Sequence, residues 1–208
     1  MKYRSPRVKL TLLAGVLAVT ALAGCAPLLV GGAMVGGALV VVDRRTTGTQ
    51  VEDQAIELKA ANRAREVSAA GHVNATSYNR LLLLTGEVPS ETDRKAVEQV
   101  ATRVENVRSV INELAVSGVS SMSQRSNDTV ITGKVKASFV DAKDLQAPAI
   151  KVVTERGIVY LMGRVTDREA NRAAEVARTI PGVQKVVRVF ELISEAELAD
   201  LQPKSAPK

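Results

Sequence analysis

The chain has 208 residues, 46% of them apolar but only 2% aromatic, a composition that allows one or two modest cores packed from Val, Ala, Leu and Ile. Its formal charge of +6 suggests a nucleic-acid partner until the first 24 residues are set aside; these hold four basic residues and no acid, and the remainder carries +2. Two of the surviving positives, Lys204 and Lys208, lie in a proline-containing tail, so the near-neutral body excludes nonspecific phosphate-backbone binding as its main business.

The amino terminus reads as an export signal. Lys2, Arg4, Arg7 and Lys9 precede the apolar run Leu10 to Leu22, and Leu22-Ala23-Gly24-Cys25 follows with the chain's one cysteine. The spacing resembles bacterial lipoprotein signals: cleavage after residue 24 and acylation of Cys25. Several acyl chains, at about 0.8 kcal/mol per buried methylene, hold a protein on a bilayer durably. Ala26 stands where a retention aspartate would keep such a protein in the inner membrane, which directs this one to the periplasmic face of the outer membrane of a Gram-negative bacterium. With Cys25 acylated no thiol remains for a disulfide.

Residues 26–42 are apolar and glycine-rich, with Gly32 and Gly36 in a GxxxG pair, and end at Asp43-Arg44-Arg45. They read as a flexible tether leaving the bilayer surface for water at Asp43 to Arg45; a short span or glycine-zipper oligomer is the alternative.

Two segments beyond the tether resemble each other. Leu82-Leu83-Leu84-Thr85-Gly86-Glu87-Val88 matches Val159-Tyr160-Leu161-Met162-Gly163-Arg164-Val165, with Gly86 and Gly163 standing 77 residues apart. Each precedes a capping box, Ser90 to Asp93 and Thr166 to Glu169, that opens an amphipathic helix. The helices carry Ala96, Val97, Val100 and Val104, and Ala170, Ala173, Ala174, Ala177 and Ile180. Turns at Asn106-Val107 and Gly182-Val183 lead into the strands Val110 to Leu114 and Val186 to Phe190.

Upstream of each match, a further helix precedes a β-hairpin. The first opens at a capping box, Thr49 to Glu52, and buries Ile56, Ala60 and Ala64; the second is capped by Ser126 or Asn127, runs from about Asp128 to Val140 and buries Ile131, Val135 and Phe139. The hairpins pair Val73 to Tyr78 with Leu81 to Thr85, and Ile150 to Thr154 with Ile158 to Met162. The second turns at Glu155-Arg156-Gly157; the first uses Tyr78-Asn79-Arg80 without a glycine, which predicts a weaker turn and a supporting role for the first unit. The expected fold is α/β in composition (α+β in layout): two αββαβ units, each a small mixed sheet with two helices on one face. The divisions are 1–24 signal, 25–48 lipidated Cys25 and tether, 49–117 first unit, 118–126 serine-rich linker, 127–194 second unit and 195–208 tail.

These two units resemble the BON domain, on the strength of Gly48-Thr49-Gln50-Val51-Glu52-Asp53, Asn127-Asp128-Thr129 and the run Val159 to Ala170 behind a lipobox. The similarity is most specific to DolP-type lipoproteins with tandem BON domains. It implies a protein that binds anionic phospholipid through the first helix of its second domain and preserves envelope integrity, often near division sites. Carried onto this chain, the phospholipid-contacting residues are Val130, Gly133, Lys134, Lys136, Ala137 and Val140: apolar side chains among acyl chains, lysines toward phosphate. Val130 stands where such relatives carry a tryptophan, which removes an interfacial anchor. A protein-interaction adaptor, its sheets docking onto outer-membrane assembly, division or cell-wall remodelling machinery, is the alternative.

The residues give no reason to expect catalysis, a cofactor or a small-molecule substrate. His72 is the one histidine and reads as an exposed connector, so neither a catalytic set nor a metal cluster is expected around it. Glu87, Glu91 and Asp93 read as a solvated turn. No phosphate-cradling glycine motif is present, and the chain reads as a non-enzyme.

Overall fold

The computed structural model describes residues 43–201. The signal, Cys25, the tether through residue 42 and the tail beyond Leu201 lie outside the described residues. Among the described residues, no helix is long and apolar enough to cross a membrane.

The first unit begins with α1 (Thr47–Val67), which buries Ile56, Ala60 and Ala64 at intervals of four and Asp53 one turn earlier. Its cap is Thr46, whose hydroxyl accepts from the Thr49 amide at 3.1 Å, so Thr49 lies inside the first turn rather than opening the helix. Strands β1 (His72–Tyr78) and β2 (Leu81–Val88) pair antiparallel around Asn79-Arg80, which have φ of 50° and 65°. Positive φ at both central residues makes this the hairpin turn whose twist matches the flanking strands. Helix α2 (Glu91–Thr102) is capped by Ser90 and buries Val97 and Ala101. The chain returns as β3 (Ser109–Asn112) and β4 (Ala115–Val116), both parallel to β2 and paired with successive parts of it.

The second unit opens with α3 (Met122–Asp141), earlier than its sequence suggested. Ser121 and Gln124 form the capping box, satisfying the free amides there, so residues 122–126 of the expected linker are helical. A turn of 3₁₀ helix at Ala147–Ala149 leads into β5 (Ile150–Glu155), antiparallel to β6 (Ile158–Val165) across Arg156-Gly157. Helix α4 (Asp167–Arg178) carries the expected Thr166–Glu169 capping box, and β7 (Lys185–Leu192) runs parallel to all of β6. Within the expected tail, Glu195–Leu201 forms a helix, α5, with Leu198 buried.

The fold is thus α+β, with two mixed sheets. In each, the two long helices cover one face: Ile56, Ala60, Leu82, Leu84 and Val97 meet in the first core, and Ile131, Val135, Phe139, Val159, Leu161 and Ala173 in the second. Gly86 and Gly163 are required by close approach of the neighbouring strand or its entry. A Cβ on Gly86 would stand 1.9 Å from the His72 carbonyl oxygen, and one on Gly163 2.4 Å from that of Ala149.

The opposite faces of the two sheets pack on each other. Tyr78 and Leu83 of the first meet Tyr160, Met162 and Val189 of the second in one buried cluster. Burial pushes both phenols up to about 12. Polar contacts rim the seam: Lys151 to Glu57 at 2.6 Å, and Asn79 and Arg108 to Glu191 at 2.8 and 2.7 Å. Arg44, expected at the exit into water, is instead buried, its guanidinium clamped on Glu169 at 2.7 and 2.8 Å.

Candidate functional site

Helix α3 carries the residues expected to contact phospholipid. Its core side is set by Asp128, Ile131, Val135 and Phe139, each about one turn after the last, which leaves the remaining positions to solvent. Val130, Gly133, Lys134, Lys136, Ala137 and Val140 are all exposed. Val130 is 53% and Val140 72% exposed, and a Cβ on Gly133 would touch nothing within 4 Å. Met122, 73% exposed, belongs to the same stripe: steps of eight, three, four and three residues from it reach Val130, Gly133, Ala137 and Val140. The misplaced helix start concealed it; the Ser121-x-x-Gln124 box was the signal that would have revealed it.

A second group of residues gathers where the two units meet. His72 begins β1 opposite Glu87 of β2, and Glu155 ends β5. Far from a solvated turn, Glu87 is 0% exposed, because Gly86 draws β2 close to β1 and Glu87 then points into the seam. His72 is half-buried rather than a free connector, with Nδ1 3.5 Å from Glu87 Oε2. Glu155 is the last strand residue, the turn proper being Arg156-Gly157, and it is buried at 5% exposure. Burial pushes its carboxyl up; a hydrogen bond from Asn74 at 2.7 Å opposes this, and the neighbouring Glu87 charge reinforces it. An open cleft of about 190 Å³ adjoins the group, lined by His72, Asn74, Arg125, Asp128 and Glu155 among others.

Comparison with known proteins follows this geometry closely. Residues 52–118 and 127–193 each match the BON domain. The chain is 42% identical to the outer membrane lipoprotein DolP of Haemophilus influenzae over 91% of its own length and 98% of that protein's. It is 32% identical to the 21 kDa hemolysin of Actinobacillus pleuropneumoniae, over 73% of this chain and 80% of that one, and 28% identical to osmotically-inducible protein Y of Escherichia coli, over 67% and 72%. The tandem αββαβ units, the paired glycines and the identity across nearly the full chain lead to one conclusion: the protein belongs to the BON-domain family, among its DolP-type outer-membrane lipoproteins.

Proposed function

We propose that the protein is held by acylated Cys25 on the periplasmic face of the outer membrane. There it binds anionic phospholipid through α3 of its second BON domain and maintains envelope integrity, division sites being one place of action. The observation that carries this reading is the outer side of α3, where Met122, Val130 and Val140 are each more than half exposed beside Lys134 and Lys136. Large aliphatic side chains left in water on a helix whose opposite side is a packed core suit an interface that is apolar below and anionic above. Each lysine near such a surface contributes about 1 kcal/mol, so the helix selects the lipid while the anchor supplies residence. Neither role requires catalysis.

Flotation of residues 43–208 with vesicles tests this, the fragment retaining the Arg44–Glu169 clamp. Binding is expected to vesicles containing phosphatidylglycerol and not to purely zwitterionic ones. Lys134→Glu is expected to weaken it about tenfold or more with circular dichroism unchanged. No binding to any vesicle would favour the adaptor reading. The sheet faces that such an adaptor would offer are occupied by each other, which among the described residues leaves edges and helices for docking.

A further inference from the structure

Glu87 is a carboxylate taken out of water with almost nothing to receive it. Among the described residues its Oε1 has no hydrogen-bond partner, and its Oε2 accepts from the Ser120 hydroxyl at 3.3 Å and lies 3.5 Å from His72 Nδ1. His72 Nδ1 likewise lacks a hydrogen-bond partner among the described residues. Buried polar groups are otherwise almost always paired, and an orphaned carboxyl oxygen beside an orphaned imidazole nitrogen marks a place where an ion belongs. One donor atom from each of His72, Glu87 and Glu155 lies within 4.8 Å of the other two.

We propose that His72 and Glu87 of the first BON domain and Glu155 of the second form a binding site for a divalent transition-metal ion of the zinc class, joining the two domains. This departs from the expectation that the single histidine holds no metal. An imidazole nitrogen with two carboxylate oxygens is a donor set zinc accepts, whereas calcium and magnesium take oxygen alone. Zinc bonds of about 2.1 Å in a tetrahedral shell place neighbouring ligands about 3.4 Å apart. The 3.5 Å between His72 Nδ1 and Glu87 Oε2 is already that edge, so one ligand, Glu155, has to close in. A dication would neutralise the two carboxylates, and the adjoining cleft leaves room for water at a fourth position.

The neighbours are arranged to support the site rather than compete for it. Asp128 spends its two oxygens on the Arg156 and Gly157 amides, each at 2.8 Å, and Arg125 donates to the Ser120 carbonyl at 3.0 and 3.2 Å. Their opposite charges offset one another in the cleft. Asn74 and Ser120 hold one oxygen each of Glu155 and Glu87, as outer partners orient metal ligands.

The test uses the processed, acylated protein in detergent, carrying no polyhistidine tag, stripped with a chelator and titrated with zinc chloride by calorimetry and with cobalt(II) by visible absorption. One ion per chain, a four-coordinate cobalt spectrum and a thermal midpoint raised by zinc are expected. His72→Gln should abolish all three with far-UV circular dichroism unchanged. Glu155→Gln should weaken zinc by more than the roughly 10–100-fold typical of losing an outer partner. Failure of the wild-type protein to take up zinc, or equal uptake by His72→Gln, overturns the proposal. Should Glu155→Gln not fold, Asn74→Ala replaces it: an affinity about tenfold lower supports the assignment of Glu155, and an unchanged one removes it.

Discussion

Asp53 and Asp128 occupy matching positions in the two BON domains, and each fastens its own hairpin. Asp53 accepts from the Asn79 and Arg80 amides at 2.8 Å and from the Ser77 hydroxyl at 2.6 Å, while Asp128 takes the Arg156 and Gly157 amides. The first turn therefore needs no glycine: charge-assisted bonds offset the strain of positive φ at Asn79 and Arg80, and the weaker turn that its sequence suggested is not found. Asp128→Ala leaves two amides without an acceptor and should cost about 2–4 kcal/mol, read from the urea midpoint at constant m-value. Burial pushes the Asp53 carboxyl up, but the bonds from Ser77, Arg80, Arg45 and Asn79 outweigh it and hold the group below its ordinary 3.8. A depressed carboxyl stabilises the fold above its unfolded value and ceases to as pH falls through its folded one. Stability should accordingly drop below about pH 4, and Asp53→Asn should flatten that acid limb in pH-dependent urea melts. The paired glycines were plain in the sequence because two strings align on them. The aspartates were visible in the same alignment, but nothing in an isolated Asp announces that the amides donating to it lie in a hairpin turn more than twenty residues on.

Strands β2 and β6 carry uninterrupted apolar runs, Leu81 to Leu84 and Ile158 to Met162. A strand covered on one face alternates; an unbroken run implies cover on both. Leu82 and Leu84 face the helices while Leu83 faces the partner sheet, as Val159 and Leu161 do against Tyr160 and Met162. The helix layer was legible from periodicity, and the sheet-to-sheet seam was written in these runs but masked by expecting one covered face. Glu155 and Glu87 were read as turn residues for the same reason, since turn-like strings gave no hint of a second sheet. On α3 the six positions proposed to meet lipid are exposed, as helical spacing put them, whereas its first turn was hidden by the better-known look of Ser126-Asn127. The exposed Val130 offers a direct test: Val130→Trp restores an aromatic at the interface in a chain that has no tryptophan of its own. Several-fold tighter binding to anionic vesicles is expected, with a blue-shifted emission from that single indole on binding.

At the scale of the molecule, the stacked sheets make the two BON domains one body, and the Arg44–Glu169 pair closes it from the amino-terminal side. Both side chains are almost wholly buried, at 2% and 4% exposure. Burial alone would push the Glu169 carboxyl up; the Arg44 guanidinium and the Thr166 amide hold it down instead. Arg44→Ala leaves that carboxylate buried and alone, and should cost about 3–5 kcal/mol in thermal or urea unfolding of the 43–208 fragment. Because the pair joins positions 125 apart, its effect is felt far from where the chain begins. With Cys25 anchored as proposed, tension entering ahead of Arg44 would divide there, part passing into the first helix and part crossing at once to Glu169 of the second domain. A tug from a moving bilayer would then be shared by both halves, turning the body as a unit instead of peeling it open from one end.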